Sequence, residues 1–150
     1  MIECVVYQRV KKTAIPESTI LVAAKKVCSR IGKKEVQLSI HLIGDDRMRT
    51  LNRLHRGKDS TTDVLSFPLV EYEGVDGFVS PVMMEGGDIF ISVKQIERQA
   101  KEFHISYKEE FMRMLVHGIL HVFGYDHITK KQAAEMFPLQ ETLVSALCRT

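Results

Sequence analysis

The stretch HGILHVFGYDH, residues 117–127, gathers three of the chain's six histidines into one short and otherwise mostly apolar window. On an α-helix, residues four apart share a face about 6 Å apart along the axis, so His117 and His121 can point at one ion. His127 lies six positions further on, and an unbroken helix would carry it about 9 Å along and about 120° around the axis, away from the pair. The helix must therefore stop. Gly124 stands where the stop is needed, because glycine enters a left-handed C-terminal cap without steric cost and lets Tyr125, Asp126 and His127 fold back. Spacing and breaker together predict a three-imidazole cluster at the end of a helix.

Three neutral imidazoles leave a divalent zinc its full charge and, in tetrahedral geometry, one open position, as in a catalytic rather than a closed structural site. One zinc per chain is expected on His117, His121 and His127, although such a donor set also accepts nickel or copper. Asp126, next to a ligand, is a candidate for orienting an imidazole, and its competing reading is a solvated turn aspartate.

Upstream of this window, Ser106 can cap the helix that carries it, with Phe111, Met114, Leu115, Gly118 and Val122 on buried faces. Downstream, the last helix is expected from about Thr129 to Leu147, kinked or split at Pro138. Toward the start, Ile2–Tyr7 and the alternating run VQLSIHLI (residues 36–43) read as strands. Between them Pro16 suits a first turn, and Ile20, Leu21, Ala24, Val27, Cys28 and Ile31 recur at helical spacing, with Gly32 closing the helix. A second helix follows Gly44, capped by Asp45 or Asp46, with Met48, Leu51 and Leu54 on its inner side and its end near Gly57. Val64–Phe67 is a third strand and Asp88–Ser92 a fourth, leading into a helix over Val93–Phe103. Residues 71–87 hold four of the nine glycines and no sustained period, and read as a long loop or hairpin tip. The order implies an α/β (α+β-like) fold: a single domain over residues 1–150, with a four-stranded mixed sheet covered by about five helices.

With 150 residues, 45% of them apolar, the chain can bury a substantial core. Its net charge of +2 excludes neither nucleic acid nor peptide as a partner. The three cysteines, Cys4, Cys28 and Cys148, are odd in number and too scattered for a metal knuckle or a disulfide framework, which suits free thiols in a reducing cytoplasm. The start, MIECVVYQRVKK, has no charged leader before a long apolar run, and no stretch is long enough to span a bilayer. A soluble, cytoplasmic protein without membrane contact is expected.

The positions of His117, His121, Gly124 and His127 match the H-E-x-x-H-x-x-G-x-x-H pattern of metzincin proteases, and Met136 could pass for their later methionine. The glutamate that serves those enzymes as general base is here Gly118, which disfavours peptide cleavage. A second stretch, HRGKDSTTDVLSFP (residues 55–68), offers different chemistry. Arg56 and Lys58 sit at a helix end beside Asp59, Ser60, Thr61 and Thr62, and a guanidinium there could fork onto a phosphate and neutralise charge in phosphoryl transfer. By spacing alone this signal is weak, and Arg56 reads first as a plain helix-terminal cation.

These two stretches, together with GGDIFIS (residues 86–92) and Met136, resemble in matching order the YbeY-type endoribonucleases, bacterial rRNA maturation factors. The resemblance implies a single α/β domain, zinc on His117, His121 and His127, and a required arginine at Arg56, with Arg56 and His117 carrying the chemistry. It also implies single-strand-specific RNA cleavage in 16S rRNA 3′ end maturation and 70S ribosome quality control. Implied partners are single-stranded RNA, ribosomal subunits, small-subunit ribosomal proteins and an Era-type GTPase. Asp63, Asp126 and a metal-held water are the candidates for proton transfer. Two alternatives stay open: a metzincin-like metalloprotease, and a non-catalytic ribosome-assembly module that zinc merely staples.

Overall fold

The structure, a computed structural model, describes residues 1–11, 14–69 and 85–149. In chain order it contains β1 (Ile2–Gln8), α1 (Glu17–Arg30), β2 (Val36–Ile43), α2 (Asp45–Arg56), β3 (Val64–Pro68), β4 (Glu85–Ser92), α3 (Val93–Phe103), α4 (Tyr107–Val122) and α5 (Lys130–Cys148). The strands form one mixed sheet in the order β1-β2-β4-β3, in which β4 runs parallel to β2 and antiparallel to β3. Among the described residues this is the α+β arrangement of four strands and five helices expected from the sequence.

Alternation along the strands assigns the two faces. Leu38, Ile40 and Leu42 of β2, with Ile89 and Ile91 of β4, point to the main core, where α1 supplies Ile20, Ala24 and Val27 and α4 supplies Phe111, Leu115 and Ile119. The intervening residues Ile43 and Phe90 face the other way, where α2 lays Met48 and Leu51 against Ile43, Leu65 and Phe67. On that second face Tyr7, His41 and Phe90 stand directly opposite one another in register. Their rings stack with centroids 4.9 and 4.2 Å apart, a cross-strand ladder. Helix α5 packs on the outside of α4, adding Met136, Leu143, Val144 and Leu147 to the main core. It is therefore the third layer behind the sheet.

Several expectations need correction. Leu54 does not lie on the inner side of α2 but is 68% exposed, because steps of three residues drift about 60° each around a helix and carry Leu54 about 120° from Met48. Neither Asp45 nor Asp46 caps α2: Gly44 occupies the N-cap, and both aspartates lie in the first turn, where they favour the helix dipole. The fourth strand begins at Glu85 rather than Asp88, so residues 85–87 belong to the sheet; the rest of the expected loop lies outside the described residues. Pro138 does not split α5, which runs through it as one helix. The N-terminus of α5 is held by a capping box, in which the Thr129 hydroxyl accepts from the Gln132 backbone and the Gln132 side chain accepts from the Thr129 backbone, both at 3.1 Å.

Candidate functional site

The helix carrying the histidines ends as its sequence requires. Phe123 is the last half-helical residue, Gly124 turns to φ +93°, its N–H donates to the His121 carbonyl at 3.1 Å, and the Tyr125 N–H donates to the Leu120 carbonyl at 3.0 Å. That pair of bonds is the Schellman closure. The reversal returns His127 to the end of α4, and the Asp126 carboxylate holds the returning segment by accepting from the His127 backbone at 2.7 Å.

The three imidazoles converge. One ring nitrogen from each of His117, His121 and His127 lies within 4.8 Å of the others, and this group could hold a metal ion. Nε2 of His117 faces Nε2 of His121 at 2.9 Å, a separation that accommodates one shared proton or one cation between two lone pairs. Burial pushes the pKa of both His117 and His121 below the ordinary imidazole value, and the neighbouring rings push further in the same direction. Both are thus kept as the neutral, ligand-competent form. His127 is exposed and packs against the Phe137 ring, so the cluster opens to solvent on that side. Three nitrogen donors open on one side are the chemistry that suits a histidine-favouring divalent cation.

The partner that orients an imidazole is Gln140 of α5, which sequence reasoning missed. Its Oε1 lies 2.7 Å from Nδ1 of His117, and the residue is only 5% exposed. The only sequence signal was a polar residue at a core-facing position of the last helix, one turn after Met136. Asp126 instead secures its own turn, although its charge, like that of Asp63, partly offsets the lowered pKa of His117. The Asp63 carboxylate is occupied by the Val64 backbone N–H at 2.7 Å.

Arg56 arrives from the opposite side of the sheet. The residues flanking β3 both bond to β4, through Leu69 N–H to the Gly86 carbonyl at 2.8 Å and Ser92 N–H to the Asp63 carbonyl at 2.9 Å. By antiparallel alternation, Ser66 therefore presents its carbonyl to the free edge of β3. Arg56 Nη2 donates to that carbonyl at 3.4 Å, with its guanidinium 5.9 Å from the Phe67 ring centroid. The Ser66 hydroxyl donates to the Gly118 carbonyl at 3.0 Å, one residue from His117. One strand thus ties the arginine to the histidine helix. Of the neighbouring polar residues, Asp59 is taken up by Arg49 at 2.8 and 3.0 Å, the Ser60 carbonyl by the buried Asn52 at 2.8 Å, and Thr61 by Asp45 at 3.2 Å. They fasten the segment along α2, while Lys58 stays exposed.

Known proteins resemble the chain over nearly all of its length. A family model described as endoribonuclease YbeY matches residues 6–148. The endoribonuclease YbeY of Sulfurihydrogenibium sp. is 40% identical over 124 residues, covering 82% of this chain and 78% of the relative. That of Bacillus subtilis is 39% identical over 117 residues, covering 75% and 73%. A solution structure from Thermotoga maritima superposes with a TM-score of 0.61 at 30% identity, over 98% of this chain and 89% of that one. With its histidine turn, its mixed sheet and these relatives in agreement, the chain belongs to the endoribonuclease YbeY family.

Proposed function

We propose that the protein is a zinc-dependent, single-strand-specific endoribonuclease that acts in 16S rRNA 3′ end maturation and 70S ribosome quality control. Endoribonuclease activity comes with the family; the substrate, the pathway and the metal are what is proposed. The observation that carries it is a solvent-open trio of imidazoles joined through one strand to an exposed arginine.

His117, His121 and His127 would hold the ion, and His117 and Arg56 would carry the chemistry. When bound, zinc supplies Lewis acidity toward a phosphate oxygen and lowers the pKa of water. The chain's own residues do the rest. Burial keeps His117 and His121 unprotonated, and Gln140 fixes the His117 ring. Arg56 spends one N–H on the Ser66 carbonyl, leaving the others of its fork for the extra negative charge that a phosphodiester gains at the transition state. Zinc is preferred over nickel or copper because an open three-histidine site is typical of hydrolytic zinc.

The metalloprotease reading is disfavoured by packing as well as by chemistry. A Cβ at Gly118 would lie 2.9 Å from Ile89 Cγ2 and 3.2 Å from Val64 Cγ2, so this position faces the sheet and has no room for a glutamate. The zinc-staple reading is disfavoured by the exposed flank at His127. A cytoplasmic location accords with three free cysteines; among the described residues no helix is long and apolar enough to cross a membrane. Ribosomal subunits, small-subunit ribosomal proteins and an Era-type GTPase are the partners this role requires.

The test is cleavage of a labelled single-stranded RNA, with metal analysis of the same preparations, for wild type, His121→Ala and Arg56→Ala. Loss of metal and cleavage together in the first variant, and of cleavage alone in the second, supports the proposal. Cleavage that survives in His121→Ala, or hydrolysis of casein by the wild type, rejects it.

A further inference from the structure

Gln140 is one link of a hydrogen-bonded chain that runs from a surface ion cluster to the histidine site. Arg113 of α4 grips Glu141 of α5 through Nη2 to Oε1 at 2.8 Å and Nε to Oε2 at 3.0 Å. The Gln140 amide nitrogen donates to Glu141 Oε2 at 3.3 Å, and Gln140 Oε1 meets His117 Nδ1 at 2.7 Å. Arg113 is itself held in place by Glu109 and by the buried Glu110, at 3.3 and 3.2 Å, and Glu110 is tied in turn to Gln99 at 2.8 Å.

The polarity of this chain is fixed from its far end. A guanidinium can only donate, and an ionised carboxylate can only accept. Glu141 is held ionised: Arg113 above all, and Gln140 after it, pull its pKa below the ordinary carboxylate value, against the opposing effect of burial. An amide beside that carboxylate must turn its NH2 toward it, which leaves its carbonyl oxygen for the histidine. A carbonyl accepts only, so the proton of the neutral His117 ring must reside on Nδ1, and its lone pair on Nε2, the atom that faces His121.

From this we infer that Arg113 and Glu141 are positioning residues for the histidine site: acting through Gln140, they fix His117 as the Nδ1–H tautomer and aim its Nε2 lone pair at the cluster. The contacts from α5 to α4 thus do more than pack two helices, and residues that never touch the site set its readiness for a metal. The consequence for metal affinity rests on the reading of the trio as a metal centre, whereas the tautomer does not.

The experiment uses the full chain, stripped of metal and 15N-labelled at histidine, at pH 7.5, where two-bond nitrogen–proton correlations distinguish the two tautomers. Wild type is expected to carry the His117 proton on Nδ1. Gln140→Leu, which keeps the bulk and removes the acceptor, is expected to move it toward Nε2, and Gln140→Glu, which retains an acceptor, to hold it on Nδ1. Zinc affinity, measured by competition with a chromogenic chelator, should fall about 10- to 100-fold in Gln140→Leu and recover in Gln140→Glu. Should Gln140→Leu fail to fold, Glu141→Ala carries the test, because it frees the amide to flip and should produce the same tautomer shift. An Nε2–H tautomer in wild type, or an unmoved proton in Gln140→Leu or in Glu141→Ala, overturns the inference. A wild type that shows the Nδ1–H form yet binds no zinc supports the chain and rejects the metal reading instead.

Discussion

Ser66 and Gly118 lock the histidine helix onto the sheet: the Ser66 hydroxyl donates to the Gly118 carbonyl at 3.0 Å, at a point where α4 approaches too closely for a Cβ to fit without displacing its neighbours. Since Arg56 is bonded to the carbonyl of the same serine, this contact registers the arginine against His117. A carbonyl that accepts from outside its own helix also avoids an unsatisfied buried hydroxyl on the strand.

Replacing Gly118 should therefore be costly despite the better helix propensity of almost any other residue. In Gly118→Ala the new methyl would press on Ile89, Val64 and Ser66. Overpacking of about 1–3 kcal/mol, less about 1 kcal/mol of helix propensity, gives a net loss of about 1 kcal/mol in urea unfolding. Gly118→Glu would bury a charge against apolar side chains and should not fold, so protease activity cannot be restored by this substitution.

Gly124→Ala isolates the backbone term. Nothing lies within 4 Å of the added Cβ, so the loss comes from φ +93° alone and should be about 1–2 kcal/mol in thermal or urea unfolding. If the turn gathers the three imidazoles, zinc content after dialysis against substoichiometric chelator should fall as well. Wild-type zinc retention in a destabilised variant would separate the turn from the site.

Arg56→Ala should lower RNA cleavage about 100- to 1000-fold, as expected when one donor to a developing negative charge is lost. The residue is exposed, so unfolding free energy should change by no more than about 0.5 kcal/mol, with metal content unchanged. Arg56→Lys should not rescue, because a point charge replaces a fork that serves the Ser66 carbonyl and the phosphate together. Equal losses of stability and activity would show that the arginine is structural.

Acid should loosen the α2–α3 junction only once the pH has fallen below the depressed pKa of Asp45. Arg98 forks onto Asp45 at 2.8 and 2.9 Å, and Ser92 and Thr61 also donate to that carboxylate. Arg98 is the main cause of an Asp45 pKa below the ordinary aspartate value, outweighing the opposing effect of burial. A carboxylate whose folded pKa is depressed contributes stability above its unfolded pKa and loses it as pH falls through the folded one. Asp45→Asn should therefore cost about 0.5–1 kcal/mol at pH 7, for a pair largely in water, and the difference should vanish well below pH 3.8. Urea titrations across that range would measure it; a difference independent of pH would assign the effect to lost hydrogen bonds rather than to charge.

The sequence by itself determined what depends on local periodicity and backbone chemistry. The alternation in Val36–Ile43 made a strand with one face in the core, and the spacing of His117, His121, Gly124 and His127 required a helix, a stop and a return. Each follows from residues within a dozen positions of one another, where pitch and φ preference decide. Family membership was legible for the same reason, since its motifs are contiguous stretches.

Only the tertiary structure decided which side chains from distant segments meet. Leu54 had spacing close to that of an inner face, yet α2 docks on the sheet through Met48 and Leu51 and leaves Leu54 in solvent. Gln140 carries no motif, and its role arises because α5 packs on α4 with that amide level with His117. The arginine's place at a strand edge depended on which residues of β3 bond to β4, a matter of register. Pairings of this kind are set by how whole elements dock, and the free energy of docking is spread over a core that no single window of sequence contains.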